Sequence, residues 1–318
     1  MKVAVLIMST PVEPSVRNIK AMKNTFVQYS NEGIFKNTYD FYEYYYDDSL
    51  ISEEIVIDKD PEIPNYYIIR IGGKETVYRT YEKTYLTYKY IIESKNIPSY
   101  DRFIRINISA YLNLNLVDNI IESTLEDDIY CNAINTFVNV NFNYYNHLYP
   151  RGDFYIVSHK TVCGILKSGK DLMYADIKDK NRPAVTHVDD TLFGYAFILY
   201  MGDLYFEHLH SVYYTFLPMT VMGFTELSKV LNINSLAVRV KTTPPNTYSG
   251  YSWDDNDFRL HDPVKIEYVH TVLKDIKYEI TKIDDLIVPE DQERPTLAIC
   301  VINERPSNIK KVLKSFIK

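Results

Sequence analysis

The order of apolar and polar positions divides the chain into alternating strands and helices. Lys2–Met8 is a continuous apolar run closed by Ser9-Thr10-Pro11, the pattern of a strand buried on both faces. Residues 16–29 follow with helical spacing. Residues 41–46 and 66–71 read as further strands, ending in Asp47-Asp48 and Gly72-Gly73. Residues 76–94 give the clearest helix, with Tyr78, Tyr81, Tyr85, Tyr88 and Ile92 three or four apart and Lys83 and Lys89 elsewhere on the wheel. Pro98 stops it before a strand over 102–106. Helices are expected over 117–123, 161–168 and 191–200, and extended segments over 138–142 and 154–157. Beyond residue 230 come a strand at 236–241, a Pro/Gly/Tyr/Asp-rich loop at 242–257 around Trp253, and a helix within 261–276. Strands alternating with helices imply an α/β domain with a largely parallel sheet.

Composition changes this picture little. The chain has 318 residues, a length for one large domain or two small ones. Its formal net charge of -7 and lack of a basic stripe exclude nucleic-acid binding by bulk charge. No apolar stretch approaches the roughly 18 residues that span a membrane. Cys131, Cys163 and Cys300 have no metal or redox spacing and read as thiols in a reducing compartment, so a cytoplasmic protein is expected. The 30 tyrosines fit an AT-biased coding composition that fills surfaces with Tyr and Asn, compatible with a large DNA virus (hence a host-cell cytoplasm) or a protist; aromatic platforms for sugars or bases are the other reading.

Four segments, in order, carry a family resemblance across residues 3 to 200. They are Ala4-Val-Leu-Ile-Met-Ser-Thr-Pro11 with Arg17-Asn18; Tyr78-Arg-Thr-Tyr-Glu-Lys-Thr-Tyr-Leu-Thr-Tyr88; Tyr149-Pro-Arg-Gly-Asp-Phe-Tyr-Ile-Val-Ser158; and Asp189-Asp190-Thr-Leu-Phe-Gly194. Together they resemble the beta-1,3-galactosyltransferase and Fringe-like families. The resemblance implies a GT-A fold: a Rossmann-like mixed sheet flanked by helices in a single main domain. It implies an inverting glycosyltransferase that moves a hexose or pentose from a UDP-sugar to a glycan or protein acceptor.

By the same resemblance, Asp190 would be the catalytic base. Thr10, Pro11, Arg17, Lys83, Arg105, Asn107 and Ser109 would serve the donor nucleotide, and Gly152, Asp153, Tyr155 and Asp189 the sugar or acceptor. Trp253, in the long loop, would stack on a sugar ring. Plain structural roles stand beside these: Asp189 or Asp190 as a helix N-cap, Arg17 and Lys83 as solvated charges, His208 and His210 as a packed pair. The families' Asp-x-Asp, which holds Mn²⁺ on the donor diphosphate, falls here on Asn107, Ile108 and Ser109, neutral groups that are poor hard-cation ligands. Mn²⁺ use therefore stays open. Arg105, Lys83 and Arg79 would neutralise the diphosphate if no metal does. A module that kept the fold and lost catalysis is the alternative; a nucleotidyltransferase would need a Gly-rich phosphate loop that is not evident.

The expected domain covers 1–285, with an acidic, Pro-flanked linker at 286–294. Residues 295–318 resemble the first strand and helix of a family-two-type glycosyltransferase. They would begin a second transferase domain of a longer chain or form a terminal strand-helix extension.

Overall fold

The computed structural model describes residues 1–76, 79–140, 143–174, 188–217, 224–242 and 256–288. Trp253, the linker beyond residue 288 and the 295–318 segment lie outside them.

The alternating pattern folds as an eight-stranded mixed sheet. Its strands are β1 (Lys2–Met8), β2 (Thr38–Asp47), β3 (Ile55–Lys59), β4 (Tyr66–Gly72), β5 (Arg102–Asn107), then β7 (Ile129–Val140), β8 (Asn143–Ser158) and β9 (Leu209–Ser211). A short strand β6 (Ala110–Leu112) leaves this sheet and joins β10 (Tyr214–Phe216) and β11 (Ala237–Arg239) in a three-stranded one. The large sheet runs β3-β4-β2-β1-β5-β8-β7-β9. β4, β2, β1 and β5 are parallel, while β3 and β8 pair antiparallel to their neighbours.

Helices cover both faces because the strands carry apolar side chains on both. Val3, Val5 and Ile7 face a core shared with α1 (Ser15–Met22), α3 (Leu114–Ile120) and α8 (Asp262–Leu273). Ala4 and Leu6 face one shared with α2 (Thr80–Glu93), α4 (His159–Ser168) and α5 (Val188–Met201). Two short helices, α6 (Tyr205–His208) and α7 (Phe224–Val230), complete the set. The helix expected over 16–29 is interrupted at Lys23–Val27 by a wide turn at Thr25, whose hydroxyl donates to the Ala21 carbonyl.

The tyrosines correct the surface reading. Tyr42, Tyr44, Tyr46, Tyr66, Tyr81, Tyr88, Tyr100, Tyr111, Tyr130, Tyr155 and Tyr205 are fully buried. They tolerate burial because their hydroxyls find partners: Tyr42 with Tyr100, Tyr44 with Thr84, Tyr66 with Glu43, Tyr88 with Tyr155. Leu286 is also fully buried, and Ile287 bridges to Val212, so the packed chain continues through the start of the expected linker.

Among the described residues no helix is long and apolar enough to cross a membrane.

Candidate functional site

The strand order fixes where a ligand would sit. β1 lies mid-sheet, with β2 on one side and β5 on the other, so the order reverses between β1 and β5. Ligands of open α/β sheets bind at the carboxyl ends of strands at such a switch point. Here those ends are Ser9-Thr10 after β1 and Asn107-Ile108-Ser109 after β5, held together because Met8 registers with Asn107.

Several expected donor residues gather at this edge, each already held. Lys83, 1% exposed, donates from Nζ to the Ser9 carbonyl at 3.0 Å and to Glu75 at 2.8 Å, tying α2 to the end of β1. It is a buried tether, and the solvated alternative falls away. Arg79 forms a fork with Glu82, Nε to Oε2 at 2.8 Å and Nη2 to Oε1 at 2.5 Å. Arg105 is fully buried on β5, with Nη2 at 3.2 Å from Met8 Sδ and its guanidinium 5.9 Å from the Tyr155 ring centre. Thr10 Oγ1 meets Ser15 Oγ at 2.6 Å, at the start of α1. Pro11 is exposed beside it. Arg17 lies on the exposed face of α1, paired with Glu13 at 3.2 Å.

Asn107 and Ser109 close the turn between β5 and β6. Asn107 Oδ1 accepts from the Ser109 backbone N–H and hydroxyl, both at 3.3 Å. Both groups are neutral and serve the turn, which leaves no carboxylate pair at the position where the resembled families bind Mn²⁺. Among the described residues no three His, Cys, Asp or Glu side chains group as a metal site. A divalent cation does not fit this turn.

A group of cations gathers on the strand beside it and the segments packed there. Arg239 of β11 registers with Ala110, and the Val240 N–H donates to the Ser109 carbonyl at 2.8 Å. Arg239 and Lys241, two residues apart on an extended segment, share a face. Arg239 pairs with Asp153 Oδ2, which Arg151 also meets at 3.1 Å, while Arg151 lies 4.7 Å from the Phe216 ring centre. Arg259 binds Asp262 Oδ2 at 2.9 Å, and Asp262 Oδ1 accepts the Thr242 N–H at 2.7 Å. Lys265 reaches the Thr242 hydroxyl at 2.9 Å. Burial pushes the Lys241 ammonium down to about 7, with Arg239, Arg259 and Arg151 pushing further and Asp262 opposing. Lys265 is lowered in the same direction by burial.

The β7–β8 pairing explains how Arg151 and Asp153 enter this group. Register jumps from Cys131–Tyr155 to Ala133–Pro150, so residues 151–154 bulge out of the β7 ladder, and 151–153 lie beyond the last β5 pair, Ile106–Phe154. Gly152 lies buried in that bulge. Asp153 is thus an arginine-clamped buried carboxylate rather than an open acceptor for sugar hydroxyls. Tyr155, expected near the sugar, is 1% exposed; its hydroxyl accepts from Tyr88 inside the core with α2.

Asp189 and Asp190 occupy the first turn of α5. An added Cβ at Gly164 would meet the Tyr200 ring, and one at Gly169 would meet the Ala196 methyl. The two helices therefore run antiparallel. α4 starts beside Arg102, at the opening of β5, so its end and the first turn of α5 lie at the edge where β1 and β5 finish.

The sequence reading passed over Arg239, Lys241, Arg259 and Lys265, and took Arg151 only as part of the Tyr149–Ser158 segment. The i,i+2 cations in the 236–241 strand and the Arg259/Asp262/Lys265 spacing were the available signals. His208 and His210 share Asp128, at 2.7 and 3.0 Å, and His210 stacks on Tyr130. They pack as a pair away from this edge, on β9 and the helix before it.

No family model matches the chain, and no curated protein does. Among solved structures, a glycosyltransferase involved in glycosylation of the major capsid of PBCV-1 is similar at 12% identity and TM-score 0.42, over 84% of this chain and 99% of that one. The apo-form glycosyltransferase GlyE of Streptococcus pneumoniae TIGR4 is similar at 11% identity and TM-score 0.38, over 87% of this chain and 65% of that one. At such identities and scores, the functional reading rests on this chain's own geometry.

Proposed function

We propose that the chain is an inverting GT-A-type glycosyltransferase using a UDP-sugar, with its reaction centre at the ends of β1 and β5. One observation carries this reading. The switch point between those strands, the cationic group around Ser109, and the Asp189-Asp190 turn of α5 all lie at one edge of the sheet. An anionic leaving group and an acidic base are what transfer from a nucleotide sugar requires there.

The chemistry follows. An acceptor hydroxyl attacks the anomeric carbon from the face opposite the diphosphate, and Asp190 takes its proton. The new C–O bond forms as the bond from the anomeric carbon to the phosphate oxygen breaks. The electron pair leaves with UDP, whose added negative charge the neighbouring cations stabilise. Asp189 orients the acceptor. Lys83 is a positioning residue, fixing the Ser9-Thr10 backbone against which the nucleotide lies.

The test is UDP release from a panel of UDP-sugars with acceptor glycans, for wild type and Asp190→Asn. Asp190→Asn should lower kcat by about 10²–10⁴, the usual worth of a general base, with UDP affinity unchanged. Tight UDP binding without turnover of any donor would favour a binding module that has lost catalysis. Absence of UDP binding would end the reading.

A further inference from the structure

Two half-buried tyrosines, Tyr67 and Tyr90, line a cleft far from the ends of β1 and β5. Lys59, Tyr67 and Tyr42 register with one another across β3, β4 and β2, so their side chains share one face of the sheet. Tyr42 is buried. Its hydroxyl meets that of Tyr100 at 2.6 Å, and its ring stacks on Tyr67 with centres 5.1 Å apart and planes 18° off parallel. Tyr67 is thus a braced ring. Tyr90 in the last turn of α2, with Ser94 and Asn96 just beyond the helix, supplies the other wall. The cleft between them measures about 210 Å³.

Its hydrogen-bonding groups are uncommitted. Among the described residues the Tyr67 and Tyr90 hydroxyls, the Lys59 ammonium, the Ser94 hydroxyl and the Asn96 amide have no side-chain hydrogen bond or ion pair. A pyranose matches such a lining: its C–H face lies against an aromatic ring, and its hydroxyls both donate and accept. Size narrows the ligand further. Sites for drug-sized molecules measure about 300–1,000 Å³, so this cleft takes a single ring and is too small for a nucleotide sugar. Lys59 is the single cation lining it, which makes it a poor phosphate site.

We propose that this cleft binds one hexopyranose unit of a glycan, at a site separate from the reaction edge. The sheet enforces the separation. Tyr67 stands at the amino end of β4, whereas the Ser9-Thr10 and Asn107–Ser109 turns follow the carboxyl ends of β1 and β5, which run parallel to it. Along α2, Ser94 lies about 16 Å beyond Lys83, which ties the helix to the end of β1. The site stands whether or not the chain transfers a sugar.

The experiment is saturation-transfer NMR on the whole chain with methyl β-glucoside, methyl β-galactoside, methyl α-mannoside and uridine as separate probes. Each is used at about 5 mM, because one small ring binds with roughly millimolar strength. Wild type, Tyr67→Ala, Tyr90→Ala, Lys59→Ala, Asn96→Ala and Lys95→Ala are compared, each checked by thermal melting and titrated with UDP. Lys95 is exposed on the same loop but outside the cleft. At least one glycoside should bind wild type and Lys95→Ala, with saturation strongest on the protons of one ring face. Its affinity should fall at least fivefold in each tyrosine variant and about threefold in Lys59→Ala and Asn96→Ala, with UDP affinity equal throughout.

Absence of binding by every glycoside would overturn the proposal, as would uridine occupying the cleft in their place. Glycoside binding that ignores all four cleft substitutions would also overturn it, and would leave the transferase reading intact. Glycoside binding through the cleft without any UDP binding would uphold the site and end the transferase reading. Should a tyrosine variant lose its melting transition, Lys59→Ala and Asn96→Ala decide, since both side chains are exposed.

Discussion

On the proposed function, a donor held beside Lys241 would bind in a proton-linked event, and that linkage can be measured. In the free protein its ammonium is held down to about 7, first by burial and then by Arg239, Arg259 and Arg151. Asp262 pulls the other way, Asp153 is already saturated by Arg151 and Arg239, and Lys265 adds another positive charge nearby. A diphosphate reverses this balance. One negative charge at ~5 Å and an effective dielectric of ~20 is worth about 3 kcal/mol, so two charges suffice to restore the proton. The sign follows from linkage. Below pH 6 the lysine is already charged and binding takes up almost no proton. At pH 8 it is mostly neutral, and binding takes up about 0.9 proton; between pH 7 and 9 affinity falls by up to about tenfold per unit.

The assay is calorimetry in two buffers of different ionisation enthalpy. UDP-glucose serves as ligand because its diphosphate is doubly esterified and does not titrate between pH 6 and 9. Lys241→Met should abolish the uptake and flatten the pH dependence. At pH 6 it should bind about tenfold more weakly, consistent with the loss of one charge-assisted contact of about 1.5 kcal/mol. Zero uptake in wild type at pH 8, or the same uptake in Lys241→Met, would refute the reasoning.

Three further outcomes are expected. Lys83→Met strips the Ser9 carbonyl and Glu75 of a buried partner and should cost about 3 kcal/mol in urea unfolding, with a raised KM for the donor because the Ser9-Thr10 segment loosens. Gly72→Ala should fail to accumulate as folded protein, since a Cβ there would stand 1.6 Å from the Ile51 carbonyl oxygen; a normal melting curve would contradict the packing of β4. His270 is held neutral by burial, down to about 4 from an ordinary 6.5, beside the Tyr111 hydroxyl. The unfolded chain binds the extra proton first, so stability should fall as pH drops from about 6.5 toward 4, and His270→Gln should flatten that part of the profile.

What the sequence disclosed divides along physical lines. β1, β2, β4 and β5 were legible because a strand buried on both faces is a solid apolar run, and their bounds move by at most three residues. β6, β9, β10 and β11 have three residues each, too few for a period to show, and only the last fell within an expected strand. Of β8 only 154–157 was expected as extended, because Pro150 and Gly152 break the apolar run there and mark a bulge within the pairing. Lys83 and the β5–β6 turn could be singled out because local motifs point to them. The cationic group was not, because its members come from β8, β11, the stretch after β11 and α8 with the turn before it. Only tertiary pairing through Asp153 and Asp262 brings them together.

That assembly also bears on why such a cluster persists in a fold that must remain stable without ligand. Asp153 and Asp262 hold Arg151, Arg239 and Arg259 in place, while Lys241, pushed down to about 7, can shed its proton and ease the repulsion from those arginines. A bound Mn²⁺ would instead add two positive charges to the same turn and deepen the repulsion. On the proposed reading, cation and metal are alternatives here rather than partners. A diphosphate that binds only the folded state stabilises it by RT ln(1 + [L]/Kd), about 2.7 kcal/mol at a hundredfold excess over Kd. Because that binding recruits the Lys241 proton, the stabilisation at fixed ligand should diminish as pH rises from 7 to 9, whereas a metal-held diphosphate would show no such loss through this lysine.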